Sequence, residues 1–219
     1  MNIIKNLNGI LNDIKRNPNL RTQIIAVSKT FDLNYIKPLI DFGHLHYGEN
    51  RVSEAILKWS SEVKRDSNLK IHLIGKLQSN KIKEALKLFS YIHSLDSKKL
   101  AVLLDEEQKK NSIDIKYFIQ INIGNEKQKS GISLDDLDDF VNFCKLKTKL
   151  NVIGFMCIPP LNSSPESYFR KLRNLADKYN YTELSMGMSN DYMIAIKNGA
   201  TFLRIGSGIF GQRVSKFWF

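Results

Sequence analysis

The chemistry this chain offers starts from one amine. Lys29 ends the apolar, β-branched run Ile24-Ile25-Ala26-Val27-Ser28, and Asp32 opens a helical pattern just after it. Such a run reads as a buried strand of a parallel sheet, so Lys29 falls where a central strand hands over to a helix. That is the end at which α/β folds collect ligands. Desolvation at the edge of an apolar core lowers a lysine's pKa and frees the amine to attack a carbonyl. The bland alternative is a solvated lysine in a βα loop. Far along the chain, Met186-Gly187-Met188-Ser189-Asn190-Asp191 reads as a glycine turn into a helix that begins at Ser189, and Gly206-Ser207-Gly208 ends the last strand. A hydroxyl, open N–H groups and a bare glycine backbone suit a phosphate dianion, although a cap and a turn would use the same residues. Arg204 stands beside the second loop, where it either faces a bound ring or makes a salt bridge at the rim. An amine and a phosphate cradle together point to pyridoxal 5′-phosphate held as a Schiff base. A cation at its pyridine nitrogen would keep that nitrogen unprotonated and weaken the ring as an electron sink.

These residues meet only if the intervening elements bring the strand ends together. Strand-like runs at 23–28, 44–47, 70–74, 91–94, 117–122, 152–156, 182–185 and 201–205 alternate with helical patterns at about 32–42, 52–64, 79–89, 97–110, 135–147, 165–179 and 189–197. The spacing of Ile3, Ile4, Leu7, Ile10, Leu11 and Ile14 adds a helix over 2–16, closed by Pro18. Eight strand–helix units predict a single (β/α)8 TIM barrel, one domain over 1–219, with an extra N-terminal helix. An open doubly wound sheet is the alternative, but no Gly-x-Gly-x-x-Gly follows the first strand. In the barrel, Lys29 lies at the C-terminal mouth, and the loops after strands seven and eight are where that fold holds phosphate.

Composition narrows the partners. Hydrophobic residues make up 42% and charged residues 25%, as in globular domains. No apolar run approaches the ~20 residues of a membrane helix, and the N-terminus lacks the pattern of a signal peptide, so a cytoplasmic protein without membrane contact is expected. Cys144 and Cys157 form no metal spacing and are expected as buried free thiols. His44 and His46 share a strand face, but no third ligand follows, so no metal is expected. The net charge is +11 and the pI about 9.5. The lysines are spread along the chain without an aromatic platform, which favours an anionic ligand over nucleic acid.

Several stretches carry a family resemblance: Ala26-Val27-Ser28-Lys29, Tyr47-Gly48-Glu49-Asn50, His72-Leu73-Ile74-Gly75 with Leu77-Gln78-Ser79-Asn80-Lys81, Gln120-Ile121-Asn122-Ile123, Lys129-Ser130-Gly131, Leu184-Ser185-Met186-Gly187-Met188-Ser189, and Arg204-Ile205-Gly206-Ser207-Gly208-Ile209-Phe210-Gly211. Over about residues 22–213 the chain resembles the pyridoxal phosphate homeostasis proteins, the YggS/PROSC family. The resemblance implies a barrel like the N-terminal domain of alanine racemase and pyridoxal 5′-phosphate on Lys29. It implies phosphate contacts from Ser189 and from the backbone at Gly206 and Ser207, and Arg204 near the pyridine nitrogen. It also implies that Asn50 and Met156 line the pocket. Tyr47, Lys76 and Ser207 depart from the usual Phe, Pro and Thr, and Ser207 keeps the hydroxyl.

The resemblance implies a carrier or regulator in vitamin B6 balance, without established turnover and so without catalytic residues. A monomer serving apo-enzymes that need the cofactor is expected. The alternative is a racemase-like amino-acid enzyme, with weak racemase or transaminase-like side activity. Racemisation needs a base on each face of the α-carbon. In alanine racemase the second is a tyrosine from an added β-domain, and here the sequence stops at Phe219, just past the barrel. The carrier is therefore the expectation.

Overall fold

Short strands that are apolar on both faces have no surface to sit on, and eight of them here close on one another. The computed structural model describes residues 2–17, 21–111, 113–126, 128–161 and 163–212. Strands β1 (Gln23–Val27), β2 (His46–Glu49), β3 (Lys70–Leu73), β4 (Tyr91–Leu95), β5 (Lys116–Ile121), β6 (Asn151–Cys157), β7 (Glu183–Ser185) and β8 (Phe202–Ile205) pair in parallel in chain order. Strand β8 returns to β1 with Ile25 opposite Arg204, which completes the predicted barrel. The family of helices outside it comprises α1 (Ile3–Lys15), α2 (Leu33–Asp41), α3 (Val52–Arg65), α4 (Ile82–Leu86), α5 (Lys98–Asn111), α6 (Leu137–Lys147), α7 (Pro165–Tyr179), α8 (Tyr192–Lys197) and α9 (Ser207–Phe210). No described helix is long and apolar enough to cross a membrane.

Local chemistry explains most boundaries. Asp32 caps α2 by accepting the Tyr35 amide at 2.9 Å. Ser97 accepts the Leu100 amide at the start of α5. Several expectations shift. The strand expected at 44–47 is β2 at His46–Glu49, so His44 precedes it and does not share its face with His46. The helix expected at 79–89 is a 3-10 turn, Ser79–Lys81, followed by the short α4, and Ser79 makes no cap. The acidic helix begins at Leu137, because the Ser133 hydroxyl is used in a turn closed by Asp136. The helix expected from Ser189 begins at Tyr192. Pro18, expected to close α1, lies outside the described residues.

Helix α1 buttresses the end of the chain that matters most. Leu7, Ile10 and Ile14 are buried, Asn6 Nδ2 donates to the Ile209 carbonyl at 2.9 Å, and the Tyr192 hydroxyl donates to Asp13 at 2.7 Å. The loop after β8 is thus pinned from below by the extra N-terminal helix.

The lumen departs from the layers of branched aliphatics that usually fill such barrels. Ile25, Phe118, Met156 and Phe202 form a cluster of their own, and around it sit buried His72, His93, Ser185 and Arg204. Rings hold these polar groups: His72 stacks on Tyr91 and His93 on Phe118, with centroids 4.2 and 4.4 Å apart.

Burial keeps every histidine neutral. His44 and His46 are each lowered to about 4, desolvation being the main cause, and His72 and His93 lie well below their ordinary value for the same reason. The unfolded chain binds protons at these sites near pH 6.5 and the folded chain does not. Unfolding then takes up protons, so stability is lost as pH falls from 6.5 toward 4. Urea unfolding across that window is expected to show a falling midpoint, with the decline already under way above the range where carboxylates protonate. A flat midpoint down to pH 5 would contradict this burial.

Candidate cofactor-binding site

The C-terminal ends of β1, β2, β3, β6, β7 and β8 open into a cavity of about 570 Å³. Six of the seven residues expected to form a site line it: Lys29, Asn50, Ser189, Arg204, Gly206 and Ser207. Met156 does not. It is buried one layer down, in the luminal cluster with Ile25, Phe118 and Phe202, because the alternation of β6 turns its side chain into the barrel.

Lys29 is half-buried at the mouth, and the backbone on both sides of it is fixed. On one side, the Ser28 amide donates to the Gly48 carbonyl at 3.0 Å and its hydroxyl donates to Glu49 Oε1 at 2.7 Å. Glu49 is fully buried, and the same oxygen accepts from Lys58 Nζ and Trp59 Nε1, both at 2.9 Å. Lys58 also donates to the Ser28 carbonyl at 2.9 Å. On the other side, Thr30 has φ 73°, in the left-handed region that β-branched residues rarely enter. Its amide is held by Glu54 Oε1 at 2.8 Å. Strain of this kind persists only where the surroundings over-determine it. The buried Glu49 cluster carries no chemistry by itself, and the sequence reading missed it. Its signal is an acid at the end of a short strand, followed nine residues later by a lysine beside the buried Trp59 of the next helix.

Loops after β7 and β8 form the opposite wall. Gly187 makes the first turn at φ +91°, where an added Cβ would meet Ala195 and Leu203. Ser189 sits in that turn, and its hydroxyl accepts the Gly208 amide at 2.9 Å, tying the two loops together. A Cβ on Gly208 would stand 3.0 Å from Ile205 and 3.3 Å from the Ser189 oxygen, so a side chain there would require both neighbours to give way. Ser207 opens α9, and its amide has no acceptor within the helix. Asp191 also lines the cavity, but its carboxylate accepts the Met188 amide at 2.6 Å. On the near wall, Gly75 lets Asn50 approach, since a Cβ there would run into the Asn50 backbone.

Arg204 forms the floor. Nη1 donates to the Ser185 carbonyl at 2.6 Å and hydroxyl at 2.8 Å, and Nη2 to the Cys157 carbonyl at 2.8 Å. The guanidinium is buried and pairs with no carboxylate among the described residues. Burial draws its pKa down, and burial pushes the neighbouring Cys157 thiol up to about 12, so that thiol stays neutral. Asp191, on the same lining, acts on this charge through space without pairing with it, and a fixed cation at the bottom of a cavity attracts an anionic ligand.

An amine at the rim of a barrel, across from a hydroxyl-and-amide cradle and above a buried guanidinium, defines a barrel built for an anionic carbonyl compound. The chain matches the family model for the alanine racemase N-terminal domain over residues 2–214. It is 39% identical over 200 residues to the pyridoxal phosphate homeostasis protein of Aquifex aeolicus, covering 87% of each chain. With that of Escherichia coli K12 it shares 35% over 199 residues, covering 87% of this chain and 85% of the relative. PipY of Synechococcus elongatus, solved with pyridoxal phosphate bound, superposes with a TM-score of 0.82 at 34% identity, covering 95% of this chain and all of PipY. Alanine racemase of Clostridium difficile shares the fold, with a TM-score of 0.70 at 17% identity over 98% of this chain and 58% of its own. The chain belongs to the pyridoxal phosphate homeostasis protein family.

Proposed function

We propose that this chain binds pyridoxal 5′-phosphate in the upper cavity and serves vitamin B6 homeostasis without catalytic turnover. The observation that carries this reading is the meeting of Lys29, Ser189, Ser207 and Arg204 around one cavity of about 570 Å³. Bound there, the cofactor supplies an aldehyde and an electron-withdrawing ring. Lys29 offers the amine for the aldehyde. The Ser189 hydroxyl and the backbone at Gly206 and Ser207 take the phosphate. Arg204 holds its positive charge toward the ring nitrogen, which keeps that nitrogen unprotonated, and Asn50 offers its amide to the ring. The relatives carry homeostasis names and not enzyme names. Racemisation asks for a second proton-transfer group facing Lys29; no tyrosine, histidine or cysteine lines the cavity among the described residues, and the Asp191 carboxylate there is engaged by the Met188 amide. The protein is proposed to act in the cytoplasm as a monomer that hands the cofactor to apo-enzymes, with no nucleic-acid or membrane partner.

Incubation of the holo-protein with L- and D-alanine in deuterium oxide tests the non-catalytic part. Exchange of the α-proton is expected to stay far below the ~1–1000 per second of ordinary enzymes. Sustained exchange within that range would establish the racemase-like alternative.

A further inference from the structure

A second cavity, of about 600 Å³, lies at the opposite end of the barrel. Gln23, His46, Tyr91, Lys116, Glu183 and Phe202 line it, and each opens its strand, so this is the N-terminal face. Three donors point to an anion there. Arg21 is exposed and makes no hydrogen bond or ion pair among the described residues. Among the described residues the Lys116 ammonium has the Tyr91 ring, 5.5 Å away, and no ion pair. His46 spends Nδ1 on His72 and has Nε2 left for the cavity. Among the described residues Glu183 is the one acid on the lining, and it forms no ion pair with either cation.

His46 is also the end of a hydrogen-bonded chain through the lumen. His46 Nδ1 meets His72 Nε2 at 2.9 Å, and His72 Nδ1 meets His93 Nε2 at 2.9 Å. His93 Nδ1 meets the Ser185 hydroxyl at 2.8 Å, which meets Arg204 Nη1 at 2.8 Å. The direction of the chain follows from its upper end. Arg204 can only donate, so Ser185 Oγ accepts from it. The acceptor within reach of the Ser185 hydrogen is then His93 Nδ1, and a buried hydroxyl hydrogen left without one costs about 1–3 kcal/mol. The positive guanidinium likewise favours a lone pair on the near side of His93. Each neutral ring therefore carries its proton on Nε2 and passes the same polarity downward. The last N–H of the series, on His46, points into the lower cavity.

We propose that the lower cavity is a phosphate-group site, held by Arg21, Lys116 and the His46 Nε2–H, and that the histidine chain transmits its occupancy to Arg204. A dianion matches two cations and an N–H donor, with Lys70 of β3 and Lys116 of β5 adding positive potential at His46. Tyr91, His44, His72 and Glu183 are the other titratable groups near that ring. When the anion accepts from His46 Nε2–H, His46 Nδ1 becomes a stronger acceptor from His72. The strengthening passes along the series, because chains of hydrogen bonds polarise one another. Ser185 ends with a tighter grip on Arg204. No proton changes owner in this scheme.

Nitrogen NMR of histidine-labelled protein tests both halves. Before any ligand, His46, His72 and His93 are expected as Nε2–H tautomers. Titration with inorganic phosphate, and separately with glycerol 3-phosphate, is expected to move His46 and His93 with one common midpoint. The tighter of the two ligands identifies the source of the group. The double variant Arg21→Ala, Lys116→Ala, which alters surface residues, is expected to raise that midpoint more than roughly tenfold. Ser189→Ala, in the upper cradle, is expected to leave it unchanged, and chloride at matched ionic strength is expected to move neither ring. A static His46 with both ligands, an unchanged midpoint in the double variant, or a midpoint that follows Ser189→Ala overturns the site. A moving His46 with a static His93 overturns the transmission. None of these readouts involves the cofactor, so they stand or fall apart from the function proposed above.

Discussion

Lys29→Ala is expected to reduce covalent trapping of pyridoxal phosphate by borohydride to background and to remove the absorbance band of the bound cofactor. The amine is half-buried at the cavity, between a Ser28 held at three atoms and a Thr30 held in the left-handed region. Proximity of this kind is worth orders of magnitude in effective concentration, which an exposed lysine elsewhere lacks. Lys58 also lies beside Ser28, but Glu49 and the Ser28 carbonyl already hold it. It cannot substitute without leaving a buried carboxylate unpaired. Peptide mapping of the reduced wild-type protein is the check. An adduct on a residue other than Lys29, or an unaltered band in the variant, would refute the assignment.

Glu49→Ala is expected to produce the largest loss of stability of any single substitution near the site, about 3–5 kcal/mol. Glu49 Oε1 alone accepts from Ser28, Lys58 and Trp59. Its removal takes from the Lys58 ammonium, whose side chain is only 8% exposed, its 2.9 Å carboxylate partner, leaves it only the more distant Glu54 at 3.6 Å, and deprives the Trp59 indole N–H of its acceptor. A group left without its partner costs more than the pair contributes, because the desolvation is already incurred. The double variant Glu49→Leu, Lys58→Met removes both charges and is expected to recover most of the loss in urea unfolding. If the single variant unfolds at the wild-type midpoint, the cluster does not hold β1 to α3. Because Lys58 also grips the Ser28 carbonyl, both variants are expected to slow cofactor trapping at Lys29 as well. A variant with normal stability and slow trapping would separate positioning from folding.

The site was legible to different depths at different residues. Lys29 was readable because its place follows from a local pattern, an apolar run ending where a helix begins. The loops at 186–191 and 206–208 were readable because glycine and serine have few reasons to cluster at strand ends. The sequence pattern places Ser189 at the start of a helix, whereas it sits in the turn before it. Its hydroxyl serves the neighbouring loop, since Gly208 offers an amide 2.9 Å away. The place of Arg204 beside the loop after β8 was readable, but its anchoring by Ser185 and Cys157 was not.

Alternation of strand and helix pointed to a parallel sheet and the count of eight units to a closed barrel, and chain order in such a barrel determined which loops become neighbours. Those are properties of spacing, and spacing is written along the chain. The lumen is different. Which side chains point inward, and at what height they meet, depends on register and stagger around all eight strands, and a shift of one residue reverses every face. That is why Met156 fell into the core instead of the cavity. It is also why three histidines, from three separate strands, became one hydrogen-bonded line toward Arg204 only when the barrel closed.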